Sequence, residues 1–212
     1  MKEFGYFRRR FCQHKEINRQ TMTVERHPLE PFLPQGARVL FLGSFPPPRQ
    51  RWSMEFFYPN FINDFWRIIG LVFFGEKEHF VVPGERRFDR ERIVDFCKEK
   101  GIAMFDTATE VRRLQDNASD KFLEVVKPTD LPGLLARIPA CRAVVTTGQK
   151  AADVIVGAFG CDEPRVGDHT CLDIQGRSLE FWRMPSTSRA YPLPLERKAD
   201  AYRQLFSALG II

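Results

Sequence analysis

Four short apolar runs are spaced along the chain, and each stops at a polar or turn-forming residue. Val39-Leu40-Phe41-Leu42 follows Arg38 and ends at Gly43. Ile102-Ala103-Met104-Phe105 ends at Asp106, and Ala143-Val144-Val145 passes through Thr146-Thr147 to Gly148. The fourth run covers residues 178–185 and stops at Pro185. Continuous runs of this length predict strands buried on both faces of a parallel sheet. Between them the apolar period changes to that of a helix. Phe65, Ile68, Ile69 and Val72 share a face over residues 64–74. Ile93, Phe96 and Cys97 do so over 88–100, with Gly101 as the stop. Further helices are predicted over 129–137, over 149–159 and from Pro194 to Leu209. Residues 107–126 read as polar and irregular with one short helix, and 161–175 as a loop with an extra strand.

Strands alternating with helices predict an α/β fold, a three-layer α/β/α sandwich around a four-stranded, mostly parallel sheet. Right-handed crossovers then bring every strand-end loop to one rim, where open α/β sheets bind their ligands. The domain reading is a basic, flexible leader and lead-in over 1–35, then one domain over 36–212. The leader owes its extent to Pro28, Pro31 and Pro34 and to its charge. Residues 1–27 hold seven Lys/Arg and three Asp/Glu, a net +4 of the chain's +5. Such a tail can add salt-sensitive affinity for nucleic acid.

Hydrophobic residues make up 43% of the 212, ordinary for a soluble domain. No apolar run approaches the ~20 residues of a membrane span, and the first 26 residues lack an apolar signal core. An intracellular protein is expected. Five cysteines (Cys12, Cys97, Cys141, Cys161, Cys171) form no CxxC pair, and the four histidines are scattered. Neither a metal, an iron–sulfur cluster nor any other cofactor is expected.

Two strand-end loops carry the candidate chemistry. The first is Gly43-Ser44-Phe45-Pro46-Pro47-Pro48, followed by Phe57-Tyr58-Pro59 and Asn63-Asp64-Phe65-Trp66. Ser44 lacks the G-x-S-x-G setting of a serine nucleophile, and Asp168-His169 is the lone late pair that could serve one. The loop is better suited to offering backbone amides to a water or a base. Phe45, Phe57 and Tyr58 are candidates to contact or stack a base, and Asn63 to orient a water or meet a base edge. The second loop is Met184-Pro185-Ser186-Thr187-Ser188-Arg189. Ser186, Thr187 and Ser188 with successive amides suit a phosphate, and Arg189 adds charge or enters a duplex gap. Asp106, at the end of the second strand, is a candidate base reader or proton acceptor. Arg112, Arg113 and Asn117 follow it closely.

Taken in order, these segments resemble the uracil-DNA glycosylase superfamily, nearest its mismatch-specific and hypoxanthine-DNA glycosylase branches. The residues that carry the resemblance are Gly43-Ser44-Phe45-Pro46, Phe57-Tyr58, Asn63-Asp64-Phe65-Trp66, the strand 101–106 ending in Asp106, Thr147-Gly148-Gln149-Lys150-Ala151, and the loop from Met184 to Ser188. The resemblance spans about residues 36–210. It implies hydrolysis of the N-glycosidic bond of a damaged base flipped out of DNA, by a monomer, without a cofactor. Phe57 or Tyr58 would stack the base, and Asp106 would stand where relatives often read it with Asn. The loop Ser186-Thr187-Ser188 would grip phosphate, and Arg189 would fill the gap. In many relatives an Asn or Asp of the first loop positions the attacking water, and several place His at the start of the late loop. This chain has Ser44 and Met184, which promotes Asn63, with Ser44 beside it, to the catalytic position. A non-catalytic nucleic-acid binder is the second reading, and a serine hydrolase using Ser44 the third.

Overall fold

The apolar runs are held side by side by parallel ladders. The structure, a computed structural model, describes residues 23–114 and 122–212. Most of the basic leader, with Cys12 and His14, lies outside the described residues, as does Asn117. Among the described residues, β2 (Val39–Gly43), β3 (Ile102–Asp106), β6 (Ala143–Thr147) and β8 (Arg177–Met184) fall on the four runs. They form a sheet in the order β3-β2-β6-β8 with all neighbours parallel. Every residue of β2 and β3 is buried, as strands covered on both faces must be.

The sheet has five strands rather than the expected four. β7 (Asp168–Ile174) adds itself to β8 antiparallel, so the sheet is mixed. It is the extra strand expected within 161–175, an edge strand with four exposed positions among its seven, and that polar pattern gives no sign that it completes the main sheet. Residues 107–126 also differ from expectation. β4 (Ala108–Arg113) and β5 (Leu123–Pro128) pair antiparallel, and β1 (Glu25–Arg26) adds a third strand to this second sheet. Register shifts between Ala108 and Val111 break the period-two pattern.

Five helices are described. α1 (Phe65–Phe74), α2 (Arg90–Lys100) and α5 (Leu195–Ala208) pack together. Phe41 of β2 meets α1 and α5 through Phe65, Tyr202 and Phe206, with centroids 5.6 to 6.5 Å apart. Burying such rings contributes roughly 1.5–3 kcal/mol each. α3 (Leu131–Arg137) and α4 (Gln149–Phe159) lie in the crossovers β3→β6 and β6→β8. These run across the sheet in the sense opposite to β2→β3, so right-handed crossings put them on the other face. Helix limits follow local chemistry. Asp89 caps α2 by accepting from Arg92 N at 3.1 Å, and Gly101 ends it at φ 66°, a left-handed position that glycine takes without penalty.

Candidate functional site

The ends of β2 and β3 are locked in register, with Gly43 opposite Asp106. Thr107 N donates to Gly43 O at 2.9 Å. The ends of β6 and β8 are likewise in register, with Thr147 opposite Met184. Above these four ends opens a cleft of about 690 Å³. Ser44, Phe45, Phe57, Tyr58, Asn63 and Asp106 line one part of it, and Ser186, Thr187, Ser188 and Arg189 another. These ten residues, each a candidate site residue from the sequence, therefore share one cavity.

Asp106 is buried, at 7% exposure, and its carboxylate lies against Gly43. A Cβ at position 43 would stand 2.3 Å from Asp106 Oδ1, so any side chain there would have to displace the carboxylate. Oδ2 meets Nε2 of His27 at 2.9 Å. His27 was not singled out in the sequence, and nothing in its spacing links it to a residue 79 positions away. It arrives because β1 pairs with β4 and His27 N donates to Thr109 O at 2.8 Å. Its ring is enclosed by Phe45, Phe57 and Phe105, with centroids 5.3, 6.3 and 4.5 Å away. Arg112 and Arg113 do not reach Asp106. Arg112 pairs with Glu124, while Arg113 holds the first loop by donating to Pro46 O at 2.6 Å and pairing with Glu25.

The aromatic pair divides. Phe57 is 3% exposed and packs edge-on against Phe56 and Phe105. Tyr58 is half-buried and has φ 52°, a strained conformation for a bulky residue. The strain is held by a stack on Phe65 at 3.9 Å and by a hydroxyl–hydroxyl bond to Thr147 of 2.8 Å. Held in this way, Tyr58 lines the cleft. Asn63 Oδ1 accepts from Phe65 N at 2.8 Å, which fixes its amide. Among the described residues, no side-chain hydrogen bond engages Nδ2, so it and the second lone pair of Oδ1 can meet a water or a base.

The late loop is built from its own hydroxyls. Ser188 N donates to Ser186 Oγ at 3.2 Å, and Ala190 N to Ser188 Oγ at 3.3 Å. These two amides are already used, so the loop offers hydroxyl hydrogens and the half-exposed Arg189 in place of a row of free amides. Thr187 is 3% exposed, and its carbonyl accepts from Asp64 N at 2.9 Å. Tyr202 donates to Pro185 O at 3.1 Å beneath it. Burial pushes that phenol well above its usual range, and the nearby Tyr58 adds to the shift. The Asp168-His169 pair lies outside the cleft lining, with His169 stacked on Trp182 at 4.4 Å. Among the described residues no group of three His, Cys, Asp or Glu could hold a metal ion. No helix there is long and apolar enough to cross a membrane.

The chain is similar in structure to the solution structure of a protein from Methanosarcina acetivorans named a "putative Uracil DNA glycosylase", with a TM-score of 0.59 and 21% identity. The match covers 89% of this chain and 99% of that one. The two proteins share a fold. No protein-family model matches the sequence, and no curated protein matches it.

Proposed function

We propose that the protein is a DNA glycosylase of base-excision repair that hydrolyses the N-glycosidic bond of a flipped, deaminated base of the uracil or hypoxanthine type. The observation that carries this reading is the convergence of Asn63, Asp106 and residues 186–189 in one cleft at the ends of parallel strands. Its volume, about 690 Å³, is in the range of small-molecule sites. In this reading Tyr58 stacks the base, and Asp106 meets the base edge. Ser186, Ser188 and Arg189 hold the flanking phosphate, and damaged DNA is the partner of a monomeric, intracellular enzyme. The base leaves with partial negative charge from an oxocarbenium-like sugar. Asn63 Nδ2 and the first-loop amides face that charge, and fixed donors of this kind lower the barrier without reorganising. The chemistry needs no metal or cofactor. Extrusion costs a few kcal/mol, least at a lesion or mismatch, which biases action toward damage.

The test is base release from duplexes carrying single uracil, hypoxanthine, xanthine or mismatched bases. Release from at least one deaminated substrate is expected. Retained binding with no release from any would leave the non-catalytic binding reading, toward which Ser44 and the buried, apolar Met184 point.

A further inference from the structure

His27 is 4% exposed at its side chain, and among the described residues its one side-chain-to-side-chain hydrogen bond is to Asp106 Oδ2. Its Nδ1 faces both Leu29 O at 2.8 Å and Leu29 N at 3.2 Å. If Nδ1 accepts from Leu29 N, neutral imidazole carries its hydrogen on Nε2. If Nδ1 donates to Leu29 O, Nε2 carries a hydrogen in the imidazolium. Either state donates from Nε2 to an ionised Asp106. The donation occupies Oδ2 and stops the carboxylate from turning. Oδ1 has no hydrogen-bond partner among the described residues, and Asp106 lines the cleft. Gly43 provides the space in which Oδ1 sits.

We propose that His27 is a positioning residue that makes Asp106 a one-oxygen acceptor, and that this acceptor selects bases whose ring nitrogen at the pairing edge bears a hydrogen. The proposal rests on the glycosylase reading above and names the specificity device within it. Deamination changes the sign of that ring position. Cytosine N3 and adenine N1 present lone pairs, which a carboxylate oxygen repels. Uracil N3 and hypoxanthine N1 present N–H groups, which it accepts. A carboxylate free to turn would hold no acceptor in a fixed place at the base edge, and an acid carrying its hydrogen on Oδ1 would accept the parent bases as well. His27 removes that freedom, so a buried group outside the cleft lining determines what the lining residue reads.

The test is equilibrium binding, by fluorescence anisotropy, of duplexes carrying one 2′-fluoroarabino nucleotide, which resists cleavage. The target stands opposite an abasic residue, so pairing strength does not differ between bases. The wild-type chain is expected to prefer uracil over cytosine, and hypoxanthine over adenine, by on the order of ten- to a hundredfold. In His27→Leu that preference should fall to about threefold or less, while His27→Gln, which carries an N–H donor at similar reach, should restore most of it. His27→Asn, polar but too short for the bond, should behave as Leu does and serves if the Leu variant does not fold. A wild type without preference would overturn the proposal, as would a folded Leu or Asn variant that keeps it. If the wild type shows the preference but releases no base from ordinary deoxy duplexes, the glycosylase reading fails while the role of His27 stands.

Discussion

Lys198 and Asp64, 134 residues apart, form a buried ion pair beneath both cleft loops. Nζ lies 2.9 Å from Oδ2, with the two side chains 1% and 9% exposed. Lys198 also donates to Ser188 O at 2.8 Å, and Asp64 N donates to Thr187 O at 2.9 Å. The pair therefore ties the start of α1, next to Asn63, to the phosphate-facing loop. Removing one partner of a buried pair leaves a charge without compensation. Lys198→Met should destabilise by about 3 kcal/mol, the low end of the usual range because Arg189 still reaches Asp64 at 3.4 Å. Urea unfolding reads the loss. Asp64→Asn combined with Lys198→Met should cost clearly less than the sum of the single variants. Simple additivity would show that the two residues act independently.

Gly43 and Asp106 set a second constraint. A methyl group at 43 would meet Oδ1 at 2.3 Å, and the strand ends cannot part because both lie in a fully buried ladder. Gly43→Ala should cost about 1–3 kcal/mol of stability, as overpacking does. It should lower base release on the order of a hundredfold, because a shift of about 1 Å in a site residue has that effect. Unfolding and single-turnover release, measured on the same preparation, separate the two. Release unchanged in a folded Gly43→Ala chain would remove Asp106 from the site.

The parts of this architecture that could be read in the sequence are those with an unbroken pattern. β2, β3, β6 and β8 are continuous apolar runs with sharp ends, so the loops that follow them, and the cleft they form, could be located before any coordinates. β4 and β5 could not. Glu110, Arg112, Arg113 and Glu124 face partly outward, and the register shifts at 108–111 disturb the alternation that marks a hairpin. β7 was expected only as an extra strand somewhere in 161–175, and its polar edge gave no sign that it joins the main sheet. His27 left no signal of its own. Its position depends on β1 pairing with β4, a tertiary contact made by a two-residue strand in a segment that composition alone marks as leader. The self-satisfied amides at 188 and 190 are also conformational facts that a Ser/Thr-rich string does not reveal.

Asn63 combines a structural and a chemical role that can be separated. Its Oδ1 takes the Phe65 N–H at the start of α1, a bond of the capping kind worth about 1 kcal/mol. Asn63→Ala loses that bond and the amide donor together. Asn63→Asp keeps an acceptor for Phe65 N but replaces the donor with negative charge. Stability should thus fall by about 1 kcal/mol in Ala and less in Asp. Base release should fall by on the order of a hundred- to a thousandfold in both, the usual cost of removing one donor to developing charge. Full activity in Asn63→Asp would remove the donor role, and full activity in Asn63→Ala would remove Asn63 from the chemistry altogether.

The buried thiols predict how stability responds to alkali. Burial raises Cys141 from 9.0 to about 11, against smaller opposing effects from the Ala143 backbone and Arg177. Burial alone raises Cys97 further. Both thiols stay neutral in the folded chain over a range in which the unfolded chain has ionised them. The unfolded state therefore holds fewer protons above pH 9, and stability falls as pH rises. The contribution is fully present below pH 9 and is lost between pH 9 and about 11 for Cys141, and beyond that for Cys97. Each thiol contributes a slope of about 1.4 kcal/mol per pH unit in this window. Urea unfolding of the wild-type chain and of Cys97→Ala/Cys141→Ala at pH 8, 9, 10 and 10.5 measures the difference. The variant starts less stable, because it carries two small cavities, but its stability should decline less steeply. Parallel slopes in the two proteins would mean that these thiols ionise in the folded state as readily as in the unfolded one, and so that their burial does not act on their protons.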